Sequence, residues 1–226
     1  MMSVHSGHRK RVRERFLNES LDSFPPHNVL ELLLFYAVPQ KDTNELAHRL
    51  IKKFGNLKAV FDAPYEDLLK VQGVGETVAS LIKLIPQLAR RYMICSSEDT
   101  CLNSTEKAGK FLLPYYIARR NETVFLVCLD TKCKVLSCQM IFEGSVNSTQ
   151  VNIRKIIETA FRYNASGIII AHNHPGGVAL PSPEDLGTTQ RIQEALRAVG
   201  LLFIDHIIVA DDDFVSLADS GFIRRV

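Results

Sequence analysis

The sequence has no tryptophan, no pair of cysteines spaced C-x-x-C and no long apolar run among its 226 residues. The best apolar segment, from Val29 to Val38, is interrupted by Glu31 and is shorter than the roughly 18 to 20 residues that span a bilayer. No apolar secretory core directly follows the basic segment at residues 9–15. We therefore expect a cytoplasmic protein without a membrane partner.

Cysteine usage and charge exclude further classes. The five cysteines are odd in number and lack metal-binding spacing, which argues against a thiolate zinc site and fits a reducing compartment. With 46% hydrophobic and 23% charged residues, the chain is neither disordered nor collagen-like. The net charge is only +2, but residues 1–94 carry 14 basic and 10 acidic side chains, whereas residues 95–226 carry 13 and 15. Only the first part of the chain is basic.

A change in hydrophobic pattern predicts two domains. From Val12 to Tyr92 the apolar residues follow a helical spacing that is broken by proline and glycine, which predicts several short helices. Around residues 95–105 the composition shifts to Ser, Thr, Asn and acidic residues, as in a linker. We predict a small all-α domain over residues 1–98 and an α/β domain over residues 99–226.

The second part of the chain alternates predicted strands with predicted helices. Branched and aromatic runs predict strands, and apolar residues at helical spacing predict helices. The strands are expected at residues 124–129, 135–142, 168–171, 202–210 and 214–217, and the helices at 153–161 and 183–199. This alternation predicts helices packed on a mixed sheet.

Two histidines, His172 and His174, directly follow the apolar run from Ile168 to Ala171. Residues i and i+2 of an extended chain point to the same side, so both imidazoles can face one space at the end of the strand. Two nitrogen ligands for a metal ion are then in place.

A carboxylate follows at the start of the next helix. Ser182 and Pro183 have the character of an N-cap and a first-turn residue, which puts Asp185 in the first turn. Two histidines, one aspartate and an open position for water make a catalytic zinc site. The structural alternative is a capping box, because Ser-x-x-Asp before a helix is close to that motif. The combined spacing favours the metal site, with one Zn²⁺ per chain.

The string His-x-His, seven residues, then Ser-x-x-Asp resembles the motif of the JAMM (MPN+) zinc metallopeptidases. The longer text at Asn164–Gly167, His172–Gly177 and Leu202–Ile208 resembles more narrowly the bacterial RadC family, over nearly the whole chain. This resemblance implies a helix-hairpin-helix domain followed by a three-layer α/β/α domain of JAMM type, which is cytidine-deaminase-like and has a mixed sheet. It also implies a zinc-dependent hydrolase of peptide or isopeptide bonds.

Site residues carry over from the same resemblance. It implies zinc ligands at His172, His174 and Asp185. Ser182 becomes a hydrogen-bond donor beside the reacting group, and an upstream glutamate becomes the general acid/base. In JAMM proteins this glutamate lies just before the first strand of the domain, which here is Glu122, while Glu143 at the end of the next strand is the second candidate. Either carboxylate can instead be an exposed strand end without a role.

The sequence departs from the family text at two places. RadC proteins usually read Pro-Arg-Glu where this chain has Ile153-Arg154-Lys155, and serine where it has Gly176. Neither change is at an implied ligand, so the departures concern the handling of substrate. Asp205 and His206 are candidates either for a structural role or for a hydrogen bond to a ligand.

The segment from Leu69 to Ala79 resembles a helix-hairpin-helix element around Gly73, Val74 and Gly75. Glycines there permit positive φ and expose backbone N–H groups at a helix N-terminus, which favours a DNA phosphate. Such binding is independent of base sequence and weakens with salt. The alternative is a tight turn between helices with no ligand, since Glu76 adds a negative charge beside the hairpin.

Two functions are compatible with these patterns. The first is a zinc metallopeptidase-type hydrolase that acts on a protein or peptide and is recruited to DNA by its first domain. The alternative is a DNA-binding repair accessory protein whose JAMM domain is non-catalytic. A nucleobase deaminase is excluded, because His-x-Glu and Cys-x-x-Cys are both missing.

Overall fold

The computed structural model describes residues 4–95, 100–144 and 152–223. The chain divides into two compact units, Met1–Ala89 and Arg90–Val226. The predicted domain boundary between residues 98 and 99 lies outside the described residues and stays a prediction. Among the helices described, none has the length and apolar character that a membrane crossing requires.

The amino-terminal unit is helical, as its hydrophobic spacing predicts. Its helices are α1 (Val4–Glu19), α2 (Pro26–Ala37), α3 (Asn44–Phe54), α4 (Leu57–Asp62), α5 (Tyr65–Leu69) and α6 (Glu76–Cys95), the last of which runs past residue 89. Proline starts α2, and the Asn56 side chain caps α4 by accepting from the Ala59 N–H. Buried aliphatic residues of α2 to α6 and of their connections form one core, which includes Leu34, Leu50 and Ile82.

A buried carboxylate lies inside this unit. Glu31 on α2 has no exposed surface, and three side chains surround it. His8 Nε2 lies 2.9 Å from Oε1, and the amides of Asn28 and Asn44 donate to Oε2 at 2.8 and 3.2 Å. We call these four residues the Glu31 cluster. The charge that interrupts the apolar run in the sequence is therefore held by hydrogen bonds within the helical core.

The carboxyl-terminal unit contains a five-stranded sheet with the order β2-β1-β3-β4-β5. β3 and β4 are parallel and the other neighbours are antiparallel, so the sheet is mixed, as predicted. In chain order the elements after α6 are α7 (Thr105–Tyr116), β1 (Glu122–Leu129), β2 (Val135–Gly144), α8 (Ile153–Arg162), β3 (Gly167–Asn173), α9 (Pro183–Ala198), β4 (Leu202–Ala210) and β5 (Asp213–Ser216).

The two faces of the sheet pack on different helices. Alternate residues of β1 and β3, such as Phe125 and Ile169, pack with Phe111 and Leu112 of α7. Their neighbours along the strands, such as Leu126, pack on the other face with residues of α8 and α9. Because side chains alternate between faces, this register decides which strand-end residues can share a site.

The segment before β1 differs from the sequence prediction. Helix α7 was not expected, and its N-cap is Ser104, whose side chain accepts from the Lys107 N–H. Leu102, within the residues predicted as linker, is buried in the core against α7. The polar composition of this stretch therefore marks a helix cap rather than a linker over residues 102–105.

Candidate metal centre

His172 and His174 lie at the end of β3 as the alternation of the strand requires. His172 is on the strand, paired with Val124 of β1 and Ile208 of β4, and His174 is the first residue beyond Asn173. Their Nε2 atoms are 3.0 Å apart. The 3% exposed His172 side chain lies inside, while the 25% exposed His174 side chain borders solvent.

Asp185 comes to the same place from the first turn of α9. Its Oδ1 is 3.1 Å from His172 Nε2, and its Oδ2 is 3.4 Å from His174 Nε2. Within the described residues, these three side chains form the one group whose candidate ligand atoms all lie within 4.8 Å of one another. The three residues that the sequence singled out as metal ligands therefore converge, and we call them the His-His-Asp group.

The capping box predicted as the structural alternative is present as well. Ser182 Oγ accepts from the Asp185 N–H at 3.1 Å, and the Ser182 N–H donates to Asp185 Oδ2 at 2.8 Å. The Ser182 hydroxyl also donates to the same Oδ2 at 2.7 Å. The cap fixes the Asp185 rotamer and leaves Oδ1 directed at His172, so the capping box coexists with the convergence of the three side chains.

The atoms that converge are acceptors. His174 donates its Nδ1–H to the Val178 carbonyl oxygen at 3.1 Å, which leaves a lone pair on Nε2. This lone pair faces the Asp185 carboxylate and the second imidazole. Acceptors that face each other repel unless a proton or a metal cation lies between them.

The pKa shifts agree with that need for positive charge. The hydrogen bond to Asp185 raises the pKa of His174 above its ordinary value, although burial opposes the shift. Burial acts to raise the pKa of Asp185, but when Nε2 of His172 and of His174 carries a proton, the two rings donate to the carboxylate and hold that pKa far below its ordinary value. A carboxylate that stays ionised beside basic nitrogens suits a divalent cation.

The loop between His174 and α9 contains one residue in the left-handed region, Gly176. Gly176 has a φ of 69°, a left-handed conformation that glycine adopts without a Cβ penalty. Nothing lies within 4 Å of the place where a Cβ would stand. The departure from the family text at Gly176 is therefore consistent with the backbone of this loop.

The two candidate glutamates lie on opposite faces of the sheet. Glu122 is buried, and it stands two residues before Val124, the partner of His172, so its side chain shares the face of the His-His-Asp group. The Glu122 charge contributes to the raised pKa of His174. Glu143 pairs with Thr123 in the register, and its carboxylate lies 3.2 Å from Arg119. Only Glu122 of the two is therefore directed towards the group.

Sequence reasoning missed Asn173, which lies between the two histidines. Its side-chain oxygen accepts from the Thr123 N–H at 2.8 Å, and its amide donates to the Asn121 carbonyl at 3.3 Å. Asn173 therefore ties β3 to the residues on either side of Glu122. The side chain of a strand residue between two histidines that share a side points to the opposite side, which is the one signal available in the sequence.

His206 and Thr189, behind His172, were not predicted as a pair. His206 Nε2 is 2.8 Å from His172 Nδ1, and His206 Nδ1 is 2.6 Å from the Thr189 hydroxyl. Burial lowers the pKa of His206 to about 3, and the nearby charge of His172 acts in the same direction. Asp205 instead stabilises the segment from Ser216 to Ala218, since its carboxylate accepts from the Ser216 hydroxyl and the Ala218 N–H.

The glycine hairpin lies in the other unit, between α5 and α6. Gly73 has a φ of 94°, whereas the Val74 side chain is buried in the helical core. A Cβ at Gly73 would lie 3.4 Å from a guanidinium nitrogen of Arg49. Gly75 immediately precedes α6 and has open space around it. The hairpin thus combines exposed backbone near a helix N-terminus with a nearby cation.

The fold and the residues of the site correspond to a known class of domain. Residues 102–222 match the family of RadC-like JAB domains. The carboxyl-terminal unit is therefore a JAB domain in which the His-His-Asp group lies at the end of β3 and the start of α9.

Whole-chain similarity narrows the class to one family. The chain is 32% identical to a UPF0758 protein of Saccharophagus degradans over 95% of this chain and 96% of the relative. It is 34% identical to a UPF0758 protein of Geobacillus sp. over 94% and 95%, and 31% identical to one of Bacillus pumilus over 99% and 100%. The chain belongs to the RadC family.

Proposed function

We propose that this RadC-family chain is a zinc-dependent hydrolase of peptide or isopeptide bonds. The observation that carries the proposal is the convergence of His172, His174 and Asp185, whose ligand atoms lie within 4.8 Å of one another. Two imidazoles and one carboxylate, with one ring bordering solvent, are the donor set of a catalytic rather than a structural zinc site. The family implies a three-layer α/β/α domain, in which α7 would form one outer layer and α8 and α9 the other.

The donor set fits zinc on chemical grounds. Neutral imidazole nitrogens and an ionised carboxylate are the ligands that zinc takes in hydrolases, and this donor set includes no cysteine thiolate. When bound, zinc lowers the pKa of water to about 7 and polarises a carbonyl group. His172, His174 and Asp185 are the residues that would hold it.

Glu122 and Ser182 supply the remaining chemistry in this proposal. Glu122 accepts a proton as water adds to the scissile carbonyl, and returns it to the amine as the C–N bond breaks. Its place on the same face as the His-His-Asp group supports this role. The Ser182 hydroxyl, which donates to Asp185 in this structure, would turn to the developing oxyanion, a contribution on the order of 3 kcal/mol.

Metal content tests the proposal. Full-length protein and a His172→Ala, His174→Ala double variant are expressed side by side, dialysed against micromolar zinc and analysed by mass spectrometry. We expect one zinc per wild-type chain and none in the double variant. A matched control is the His27→Ala, His48→Ala variant, which removes two stacked rings, 4.2 Å apart, from the other unit. Equal zinc in the wild type and the His172/His174 variant would remove the hydrolase proposal.

A second function is favoured by the hairpin at Gly73–Gly75. The positive φ of Gly73 and the adjacent Arg49 guanidinium support contact with a nucleic-acid phosphate. The helical unit would then act as a helix-hairpin-helix domain that brings the hydrolase to DNA. The alternative of a non-catalytic accessory protein keeps this DNA contact and predicts no hydrolysis by zinc-loaded protein. Binding of a duplex oligonucleotide at increasing salt tests the contact.

A further inference from the structure

A chain of hydrogen bonds behind His172 begins at Thr189. The Thr189 hydroxyl oxygen lies 2.6 Å from the Asp185 carbonyl oxygen and 2.6 Å from His206 Nδ1. A carbonyl oxygen can only accept a hydrogen bond, so the Thr189 hydroxyl donates its one O–H to the backbone carbonyl of Asp185. The hydroxyl oxygen must therefore accept from His206, which requires a proton on His206 Nδ1.

The same order continues through the ring of His206. His206 is 3% exposed, and a second ring proton would bury a positive charge against His172, so the ring carries one proton. With that proton on Nδ1, Nε2 of His206 is an acceptor, and it lies 2.8 Å from His172 Nδ1. His172 therefore donates from Nδ1 and keeps a lone pair on Nε2.

The lone pair of His172 is the one that faces the site. His172 Nε2 lies 3.0 Å from His174 Nε2 and 3.1 Å from Asp185 Oδ1. The contacts form a closed loop that begins at the Asp185 carbonyl, passes through Thr189, His206 and His172, and returns to the Asp185 carboxylate. The sheet register makes the loop possible, since His206 pairs with Ile170 and so lies on the face of His172.

We propose that Thr189 and His206 are positioning residues that fix the tautomer and the ring orientation of His172, so that Nε2 is presented to the metal ion. The inference rests on the proposed zinc function, but the order of protons exists without metal and can be measured separately. In zinc sites generally, a ligating histidine donates its other ring N–H to a neighbour, and loss of that partner lowers metal affinity 10- to 100-fold.

Variants of Thr189 in the full chain separate positioning from packing. Thr189→Val keeps the shape and removes the hydroxyl, whereas Thr189→Ser keeps the hydroxyl. We expect zinc affinity, measured by competition with a chromogenic chelator, to fall about 10- to 100-fold in Thr189→Val and to stay at the wild-type level in Thr189→Ser. Thr188→Val, one residue away on α9, is the matched control and should bind zinc as the wild type does.

Ring-nitrogen NMR of metal-free protein reads the tautomer directly. We expect the His172 proton on Nδ1 in the wild type and shared between the two nitrogens in Thr189→Val. A wild-type His172 proton on Nε2 would overturn the inference, even if Thr189→Val failed to fold. So would a folded Thr189→Val variant with wild-type tautomer and wild-type zinc affinity. If the wild type bound no zinc, the zinc function would fail, and the His172 tautomer would still decide whether the proposed proton order exists.

Discussion

Both units of this protein bury polar side chains, but they satisfy them in different ways. In the Glu31 cluster, the carboxylate accepts from two amides and faces a histidine nitrogen that can donate. In the His-His-Asp group, lone pairs and a carboxylate face one another across 3.0 to 3.4 Å. The first arrangement is complete within the chain, whereas the second requires a positive charge from outside it.

The difference distinguishes a polar cluster that is complete within the chain from one that is suited to a metal ion. Burial alone does not distinguish the two clusters, because Glu31 is more completely buried than Asp185. The distribution of donors and acceptors does distinguish them. Only in the His-His-Asp group do the ring N–H groups donate away from the carboxylate, from His174 to the Val178 carbonyl and from His172 to the His206 ring. We therefore expect substitutions in the Glu31 cluster to alter folding stability, and substitutions in the His-His-Asp group to alter metal binding and catalysis.

The largest effect is expected at Glu122. Glu122→Gln removes the proposed general base and keeps the proposed zinc ligands, so hydrolysis of fluorogenic peptide and ε-lysyl isopeptide probes should fall about 10²- to 10⁴-fold with unchanged zinc content. The matched control is Glu143→Gln, on the opposite face beside Arg119, which should keep activity. Loss of zinc in Glu122→Gln, or equal loss of activity in both variants, would contradict the assignment.

The next effect concerns the Glu31 cluster. Glu31→Ala leaves the amides of Asn28 and Asn44 without their acceptor, and we expect it to lower the free energy of unfolding by about 3 kcal/mol. Zinc content should not change. Glu45→Ala removes an exposed carboxylate of the same unit and serves as the control, with an expected change within about 0.5 kcal/mol. Denaturant unfolding measures both, and equal stabilities would show that the Glu31 cluster contributes nothing.

Acid should weaken zinc binding through His174. Because Asp185 raises the pKa of His174, this imidazole holds a proton at pH values where a free imidazole has lost it, and that proton competes with the metal. Asp185 itself stays ionised, because its pKa is held low. Apparent zinc affinity should therefore decrease on the order of tenfold per pH unit as pH falls below the His174 pKa. Chelator competition between pH 8 and pH 5.5 measures it, and a flat profile would exclude His174 as a ligand.

The smallest effect is expected at the hairpin. Arg49→Ala should weaken duplex binding a few-fold and reduce the slope of log affinity against log salt by about 1, because one phosphate contact is lost. Arg154→Ala is the matched control, since both arginines pair with a glutamate one helical turn away at 2.7 Å. Fluorescence anisotropy measures both variants. Identical slopes of log affinity against log salt would indicate that the hairpin is a turn without a ligand.

The sequence contained enough local information to predict most of the strands and helices and the convergence of the His-His-Asp group. The His-x-His spacing and the capping residues act over a few positions, so local geometry was sufficient for His172, His174 and Asp185. The sequence favoured Glu122 over Glu143 only through the family resemblance, because the face that each glutamate occupies depends on strand register, which a one-residue shift would reverse. Asn173 and Thr189 escaped prediction because their partners, Thr123 and His206, lie 50 and 17 residues away.

The most direct test is anomalous diffraction at the zinc edge from crystals of the full chain grown with zinc. Our account predicts one peak about 2.0 to 2.2 Å from Nε2 of His172, Nε2 of His174 and a carboxylate oxygen of Asp185, with His172 Nδ1 still hydrogen-bonded to His206. A zinc ion bound elsewhere, or bound through Nδ1 of His172, would contradict it.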